Sequence, residues 1–451
     1  MSVIRTIVGT IATKGAGFVI TLIVGVALFR TMGPEGKGEV DGLITWMLLL
    51  LLTYPSLEEP QLYLIGRRAA ATSTLLVNAV LAALIFGAAA IGVFELIVAY
   101  RPDWLEYRGA QPGVWHSLDV DRLRMLVLVA PIGLLQKTCG GILQGLRDMR
   151  GFNACFLAQN GTLLVLVVTF VLVLGRGVDG AIIAYAGAFS VGGLCAVGLA
   201  FRHPDVRGGP LRPSIPLLGR LVVSGLRIHG GVVAAWMIIE SDKLIVLRYC
   251  DPSELGLYVL AVALTGHSRR LIVQPVKEVL GSRLPDMIGD RERMLQVIAQ
   301  TSRHVILLTV VPGAALAALG LPILWVLYGP AALPAYMPLL VLVPGSVLWG
   351  AAVIISYWFI GTDRFLTLTM IGLGVAGANL ALNFIFVPEY GMVAAAVSSS
   401  LCYGVHLTVF ALWVRAAEGI SPARFLVPGR EDLSVYRDAW QKVRALIGRS
   451  R

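Results

Sequence analysis

Long apolar runs separated by short polar segments make up most of this 451-residue chain. A membrane-spanning helix needs about 20 mostly apolar residues, and runs of that length recur along the whole sequence. The first six predicted spans are 7–29, 40–65, 74–99, 123–146, 152–174 and 179–201, and the second six are 219–248, 255–280, 300–328, 335–361, 365–387 and 390–415. The pattern predicts an all-α polytopic membrane protein with about twelve transmembrane helices.

The two sets of spans carry similar short motifs in the same order. Residues 30–38, after the first span, align with residues 248–256, after the seventh. An arginine, a proline and a glycine coincide: Arg30, Pro34 and Gly38 with Arg248, Pro252 and Gly256. Two further pairs are Gly145 with Gly361 and Gly177 with Gly391, and the three offsets are 218, 216 and 214 residues (248 − 30, 361 − 145 and 391 − 177). An internal repeat of this kind indicates duplication.

The duplication predicts the arrangement of the domains. Each half has an even number of spans, so both halves enter the membrane from the same side. We therefore predict two six-helix bundles, residues 1–201 and 219–415, related by a pseudo-two-fold axis along the membrane normal, with a cavity between them. Residues 202–218 form a cytoplasmic linker, and residues 416–451 form a cytoplasmic tail. In the tail, apolar residues at helical spacing predict an amphipathic helix on the inner leaflet: Leu433, Tyr436, Trp440, Val443 and Ile447.

Composition and charge support a membrane location. The chain is 57% hydrophobic and only 14% charged, and its mean hydropathy is +0.79. With the N-terminus inside, the inner loops hold 16 Lys and Arg residues against 8 outside, and the tail adds eight more. The positive-inside rule then predicts a multi-pass protein of the inner, cytoplasmic membrane with both termini cytoplasmic. We expect the first run, Val8 to Phe29, to remain as a span. The net charge of +10 therefore reflects loops, and no nucleic-acid partner is expected.

Three cations inside predicted spans are candidates for binding substrate. Charged side chains within spans cost energy and usually face a polar cavity. Lys14, Lys137 and Arg227 lie in spans 1, 4 and 7, far from the span ends. A cationic cavity suits an anionic substrate such as a phosphate or diphosphate. The alternative is that these side chains extend to the membrane interface.

Three carboxylates are candidates for binding a coupling ion, H⁺ or Na⁺. Glu58 and Glu59 interrupt span 2 between Pro55 and Pro60, and broken helices in transporters often line the pathway. The alternative for these acids is pairing with a cation such as Lys137. Asp242 lies near the outer end of span 7, where an interfacial ion pair with the adjacent lysine is equally consistent with the pattern.

Enzymatic and cofactor chemistry find little support in the sequence. The motif Gly372-Leu373-Gly374-Val375-Ala376-Gly377 fits a dinucleotide fingerprint but lies in an apolar span without a preceding strand, so it predicts helix packing. The histidines are scattered, so no metal site is predicted, and no cofactor or catalytic residue is expected. An oligosaccharide polymerase or ligase would need a sizeable outer loop, whereas most outer loops here have fewer than about twelve residues.

The stretch RTMGPEGKG at residues 30–38 resembles the R-x-LGPEGRG signature of the polysaccharide transporters. These are the O-antigen (Wzx-type) flippases of the multidrug/oligosaccharidyl-lipid/polysaccharide (MOP) superfamily. Other segments are similar to later elements of that family: Ser241–Leu247, Gly256–Ala261, Leu143–Gly145, Phe152–Asn153, Tyr328–Gly329, Asn379–Asn383 and Gly391–Ala396. The departure is Glu58-Glu59-Pro60, where the family has a glycine-containing turn.

The resemblance implies two six-helix bundles and alternating access that carries a polyprenyl-diphosphate-linked oligosaccharide across the membrane. It implies a cationic central cavity and ion-coupled exchange. The expected partners are the lipid-linked oligosaccharide, membrane lipids and other polysaccharide-assembly proteins. The alternative within the superfamily is a multidrug exporter, whose cavity should be anionic or neutral and aromatic.

Overall fold

The structure is a computed structural model that describes residues 3–108, 115–287, 289–429 and 432. Helices make up nearly all of the described chain. The α-helices are α1 (Val3–Leu50), α2 (Glu58–Gly66), α3 (Thr72–Tyr100), α4 (Val120–Leu128), α5 (Ala130–Gly145), α6 (Met149–Val167), α7 (Gly177–Arg202), α8 (Pro204–Arg207), α9 (Ile215–Tyr249), α10 (Pro252–Arg283), α11 (Arg291–Tyr328), α12 (Tyr336–Gly361), α13 (Phe365–Glu418) and α14 (Ala423–Leu426).

Shorter elements connect these helices. Four 3₁₀ segments and one π-helical segment are Leu51–Thr53, Pro102–Leu105, Leu284–Met287, Pro330–Ala335 and Val168–Val173. Strands β1 (Glu106–Arg108) and β2 (Trp115–Ser117) form an antiparallel pair in the loop after α3, with Tyr107 opposite His116.

Among the described residues, nine helices are long and apolar enough to cross a membrane. Seven match one predicted span each. The other two, Thr13–Thr53 and Phe365–Glu418, contain kinks at Gly33 and Gly391 and match two predicted spans each, which accounts for eleven. The remaining predicted span, 255–280, lies within α10, a continuous 32-residue helix whose apolar sequence is interrupted by basic residues. The chain is thus an all-α polytopic membrane protein.

The chain divides into two compact units. Unit 1 comprises Met1–Leu260, Ile323–Ala335 and Asn383–Ala395, and unit 2 comprises Ala261–Pro322, Tyr336–Leu382 and Ala396–Arg451. The division into residues 1–201 and 219–415 about the linker 202–218 stays a prediction. Of the predicted tail, the structure describes residues 416–429 and Asp432, so the predicted amphipathic helix lies outside the described residues.

Small residues allow the helices of unit 1 to pack closely. A Cβ on Gly87 would lie 2.4 Å from the Cα of Pro131, and one on Gly193 would lie 1.9 Å from the carbonyl oxygen of Ile132. These glycines place the backbones of α3 and α7 directly against α5. Close backbone approach is how helices gain packing energy within lipid, so α5 becomes the buried centre of the unit.

Aligned positions of the internal repeat share the same backbone conformation in the described residues. Arg147 has a φ of 60° and Asp363 has a φ of 59°, at the offset of 216 residues. Both follow a helix end with the same Schellman pattern. The Asp148 N–H donates to Leu143 and the Arg147 N–H to Gln144, and the equivalent bonds run from Arg364 to Phe359 and from Asp363 to Ile360. The other aligned pair, Gly177 and Gly391, also shares a positive φ, of 54° and 60°.

The stretch at residues 30–38, between predicted spans 1 and 2, contains a kink in α1 at Gly33, with φ 69° and ψ −174°, a conformation that favours glycine. Just beyond the kink, a Cβ on Gly38 would lie 1.7 Å from the carbonyl oxygen of Pro252. A Cβ on Gly256 would lie 2.1 Å from the carbonyl oxygen of Pro34. The repeat aligns Pro34 with Pro252 and Gly38 with Gly256, so the contact is reciprocal. The two copies of the motif therefore pack against each other about a local two-fold.

We predict that Gly38→Ala and Gly256→Ala destabilise the protein to a similar degree, by about 1–3 kcal/mol each, because the added methyl must separate two backbones. The matched control is Gly92→Ala in α3, where an added Cβ meets nothing within 4 Å. That control should be neutral or slightly stabilising. Thermal unfolding of the detergent-purified variants tests this, and equal melting temperatures for Gly38→Ala and Gly92→Ala would contradict it.

Candidate functional site

Predicted span 2 is broken near its middle. The 3₁₀ segment Leu51–Thr53 follows α1, and α2 begins at Glu58. Between them, Pro55 has no backbone N–H, and Ser56 has a φ of 50°, which is uncommon for a residue with a side chain. The break confirms the interruption expected from the two prolines. It leaves backbone carbonyls that require donors inside the protein.

Helix α9 supplies a donor to the break. The His229 Nε2 atom lies 2.9 Å from the Leu52 carbonyl oxygen. A carbonyl only accepts hydrogen bonds, so Nε2 carries the hydrogen, and Nδ1 is available to the Ser56 hydroxyl at 3.3 Å. One turn earlier on α9, a Cβ on Gly225 would lie 2.2 Å from the carbonyl oxygen of Pro55. Gly225 therefore allows α9 close enough for His229 to bond.

Glu58 is held at the start of α2 by its own segment. The Tyr54 hydroxyl accepts the Leu57 N–H at 2.9 Å and donates to the Glu58 Oε2 atom at 3.3 Å. The carboxylate also lies at a helix N-terminus, where the helix dipole favours negative charge. Glu58 packs against α5, since a Cβ on Gly141 would lie 3.3 Å from the Glu58 Cβ. We call Tyr54, Ser56, Glu58 and His229 the broken-helix cluster.

Gln61, one turn after Glu58, adds an unusual polar group. It is fully buried, and neither atom of its amide has a hydrogen-bond partner among the described residues. Its Oε1 atom lies 2.9 Å from the position of a Cβ on Gly141. A buried amide without partners is costly, and a bound water or ion is one way in which such a group is satisfied.

Lys137 lies one turn before Gly141 on α5, close to the contact with Glu58. It is the only exposed residue of α5, all of whose residues the structure describes. A helix that faced lipid would expose several apolar side chains, whereas α5 exposes one lysine. The pattern indicates that Lys137 reaches a polar space. Among the ion pairs of the described residues, none joins Lys137 to Glu58. The alternative that Glu58 pairs with Lys137 therefore gains no support.

The other two predicted cations occupy different surroundings. Lys14 is half-buried on α1, and Arg227 is exposed on α9. Arg227 precedes His229 by two residues, which is about 200° around a helix, so it faces away from the broken-helix cluster. Glu59 is exposed at the first turn of α2. The structure thus brings Lys137 and Glu58 near each other and places Lys14 and Arg227 elsewhere in unit 1.

Asp242 is buried at the far end of α9, with 2% of its surface exposed. It is thirteen residues, or about 20 Å, from His229 along the helix. The Tyr258 hydroxyl donates to Oδ2, and the Lys243 backbone N–H donates to Oδ1 at 2.8 Å. The Lys243 side chain bonds instead to Glu240, at 2.5 Å. The burial of the carboxylate and its bond to Tyr258 do not support the alternative of an interfacial ion pair, and the role of Asp242 stays a prediction.

Two features were not predicted from the sequence. His229 carries no motif of its own, and its importance comes from a contact 177 residues away. Separately, in unit 2, Arg269, Arg270 and Lys277 lie within α10, whereas the count of inner-loop cations included them. The pattern offered one signal for these, since they fall inside the predicted span 255–280. There Arg269 is half-buried and bonds to Tyr403 of α13.

Comparisons with known proteins agree with the fold. Residues 162–335 match a family model described as "Polysaccharide biosynthesis protein". An inward-facing multidrug resistance MATE family transporter of the MOP superfamily matches with a TM-score of 0.72 and 16% identity, over 89% of this chain and 94% of that one. The lipid II flippase MurJ in an inward closed conformation matches with a TM-score of 0.69 and 13% identity, over 90% and 87%.

An outward-facing MATE transporter gives a TM-score of 0.62 at 16% identity, over 92% of this chain and 94% of that one. No curated protein matches the sequence. Residues 162–335 therefore resemble polysaccharide biosynthesis proteins, in agreement with the sequence motifs. The solved structures, which are described as MATE transporters and a lipid II flippase, show that this chain shares their fold.

We predict that His229→Ala lowers the free energy of unfolding by about 1–3 kcal/mol, because the Leu52 carbonyl loses its donor in a partly buried place. His229→Gln retains an N–H donor and should recover part of the loss. The measurement is thermal unfolding in detergent. If His229→Ala has the melting temperature of the unmodified protein, the hydrogen bond to Leu52 does not stabilise the helix break.

Proposed function

Because the chain has the fold of the MOP-superfamily transporters and matches a polysaccharide biosynthesis family over residues 162–335, we propose that it is a flippase for a polyprenyl-diphosphate-linked oligosaccharide. It would carry this polysaccharide or O-antigen repeat unit across the cytoplasmic membrane by alternating access. Both termini would lie in the cytoplasm. Other polysaccharide-assembly proteins would act before and after it.

The observation that carries the proposal is the exposed Lys137 on the otherwise buried helix α5. A lysine ammonium in a space bounded by apolar helices attracts anions strongly, because the low dielectric weakens screening. A diphosphate presents several charged oxygens to such a donor. Lys14 and Arg227, which lie elsewhere in unit 1, would add two further cations from α1 and α9.

The proposed cycle uses the chemistry of each part of the substrate. The diphosphate binds the cations, and the polar glycan occupies water in the cavity, while the polyprenyl chain remains in the bilayer. Burying the charged group alone would cost several kcal/mol, so fixed cations lower the barrier to crossing. Release follows when the cavity opens to the other side and water solvates the diphosphate again.

A coupling ion would reset the empty carrier. Glu58 lies at a helix break beside the unpartnered amide of Gln61, and broken helices provide ion sites in transporters. Asp242 is a second candidate because it is buried with one hydroxyl and one backbone donor. Glu59, next to Glu58, is the third. A proton or Na⁺ bound at any of these would neutralise a carboxylate inside the membrane.

A multidrug exporter is the second candidate function, and the structural match to MATE transporters favours it. The two functions differ in the sign of charge that the cavity must present. An exporter of cationic drugs would bind through carboxylates, and loss of lysines would leave it unaffected. The same variants therefore distinguish the two functions.

We expect Lys137→Ala to reduce transport by about tenfold, which corresponds to the loss of one charged hydrogen bond. Lys14→Ala and Arg227→Ala should also reduce it. Lys137→Arg should retain most activity, because a guanidinium also binds diphosphate. The assay follows a fluorescent polyprenyl-diphosphate saccharide across proteoliposomes.

The matched control is Arg202→Ala, which removes an exposed cation at the end of α7. It should transport normally. If all three cavity variants transport at the rate of the control and fold normally, the cation site is wrong. Unchanged saccharide transport together with carboxylate-dependent efflux of a cationic dye would support the exporter instead.

We also expect Glu58→Gln, Glu59→Gln or Asp242→Asn to abolish stimulation of transport by an imposed H⁺ or Na⁺ gradient, while exchange without a gradient continues. Removal of the titrating carboxylate breaks coupling without removing the cationic site. The measurement compares transport with and without the gradient in proteoliposomes clamped at zero potential. Asp205→Asn, an exposed acid in α8, is the control. Full stimulation in all three variants would contradict ion binding at these carboxylates.

A further inference from the structure

Arg30 and Arg248, which the repeat aligns, make equivalent contacts in unit 1. Arg30 lies just before the kink of α1 and Arg248 lies in the last turn of α9, and each donates to backbone carbonyls contributed by the other half. Arg30 belongs to the first half and reaches α11 of the second. Arg248 belongs to the second half and reaches the loop after α3 of the first. The contacts are therefore exchanged between halves.

Arg30 binds the C-terminal end of α11. Its Nε atom donates to the Leu327 carbonyl at 2.7 Å, and its Nη2 atom donates to the Val326 carbonyl at 2.5 Å. The last carbonyls of a helix have no partner within it and carry partial negative charge. The neighbouring Phe29 ring packs edge-to-face on Tyr328 at 5.6 Å. An open groove of ≈ 620 Å³ beside Arg30 gives water access to this contact.

Arg248 binds the loop that follows α3. Its Nη1 atom donates to the carbonyls of Asp103 and Glu106, each at 2.6 Å. Its guanidinium also lies 4.3 Å from the centre of the Trp115 ring, within range of a cation–π interaction. Arg248 thus joins the end of α9 to the segment that follows α3 and to strand β2.

We propose that Arg30 and Arg248 are a pair of latches that hold one gate of the transporter closed. They flank the reciprocal contact of Gly38 with Gly256, so the two latches and the backbone contact lie about the same local two-fold. The gate is on the face away from the N-terminus. The inference concerns the gate and holds for any cargo, so it does not rest on the proposed substrate.

The chemistry of the latches suits a contact that must open repeatedly. An arginine stays charged at every physiological pH, and its acceptors are uncharged carbonyls, so opening leaves no unpaired buried charge. Arg30 is exposed and Arg248 is half-buried, so water can replace the carbonyls when the gate opens. A buried ion pair in the same place would be far harder to separate.

The chain contains its own reporter of this gate. Cys250 lies between α9 and α10, two residues after Arg248, and only 7% of its surface is exposed. Burial raises the pKa of its thiol, and the nearby Glu254 and Asp251 carboxylates raise it further. The thiolate is the reactive form, so Cys250 should react slowly with a water-soluble maleimide while the gate is closed.

The experiment measures maleimide labelling of Cys250 by mass spectrometry in the full-length protein in nanodiscs, where both faces are accessible. Arg30→Ala and Arg248→Ala should each label faster than the unmodified protein, and Arg30→Ala/Arg248→Ala should label about tenfold faster, as expected for loss of charged hydrogen bonds. Arg30→Lys keeps the charge but has fewer donors, so its labelling rate should lie between those of the unmodified protein and Arg30→Ala. It replaces the alanine variants in the test if they fold poorly. Arg176→Ala, an exposed arginine contacting Phe170 of its own half, should label like the unmodified protein.

Three results would overturn the proposal. The first is labelling of Cys250 that does not change in Arg30→Ala, Arg30→Lys or the double variant. The second is a rise confined to Arg248→Ala, which would be a local effect on the neighbouring cysteine. The third is an equal rise at the buried Cys139 and Cys155, measured with Cys250→Ser present, which would indicate unfolding. Failure of saccharide transport with normal gate labelling would count against the proposed function alone.

Discussion

The contact between the Gly38 and Gly256 backbones is the constraint from which the geometry of unit 1 follows. Carbonyl oxygens of Pro34 and Pro252 occupy the space where side chains would begin. Helix α1 beyond its kink and the start of α10 must therefore touch. The aligned arginines then lie within reach of the opposite half. The need for glycine at residues 38 and 256 thus also determines where Arg30 and Arg248 lie.

The broken helix follows from a second constraint, the absence of water in the bilayer core. Unpaired carbonyls there cost several kcal/mol each, so a break survives only where protein donors reach it. His229 reaches Leu52 because Gly225 lets α9 approach Pro55. The break in turn places Glu58 at a helix start beside α5. The polar residues of α9 are therefore structural in part, and a histidine that looks isolated in sequence holds another helix.

The sequence predicted the elements well because apolar length is a local property. The repeat was also readable, because Gly and Pro have few substitutes at kinks and close contacts, as at Gly33 and Gly38. The contacts between side chains of different helices could not be predicted from the sequence. For Asp242 the sequence offered ion binding or an interfacial ion pair, and it did not predict the bond to Tyr258, one helix later. The basic residues of α10 lie inside the predicted span 255–280, but the pattern did not predict that Arg269 bonds to Tyr403.

Three kinds of charged side chain in unit 1 have different surroundings, and the transport cycle that we propose would use each kind for a different step. Arg30 and Arg248 donate to neutral backbone carbonyls, so forming or breaking these contacts changes no protonation state. Lys137 keeps its charge exposed on a buried helix, where an anion can bind it. In the proposed cycle, Glu58, Glu59 and Asp242 are the groups that would lose their charge by taking up a cation. Gate closure, substrate binding and ion binding would then use different side chains, so one could change without forcing the others.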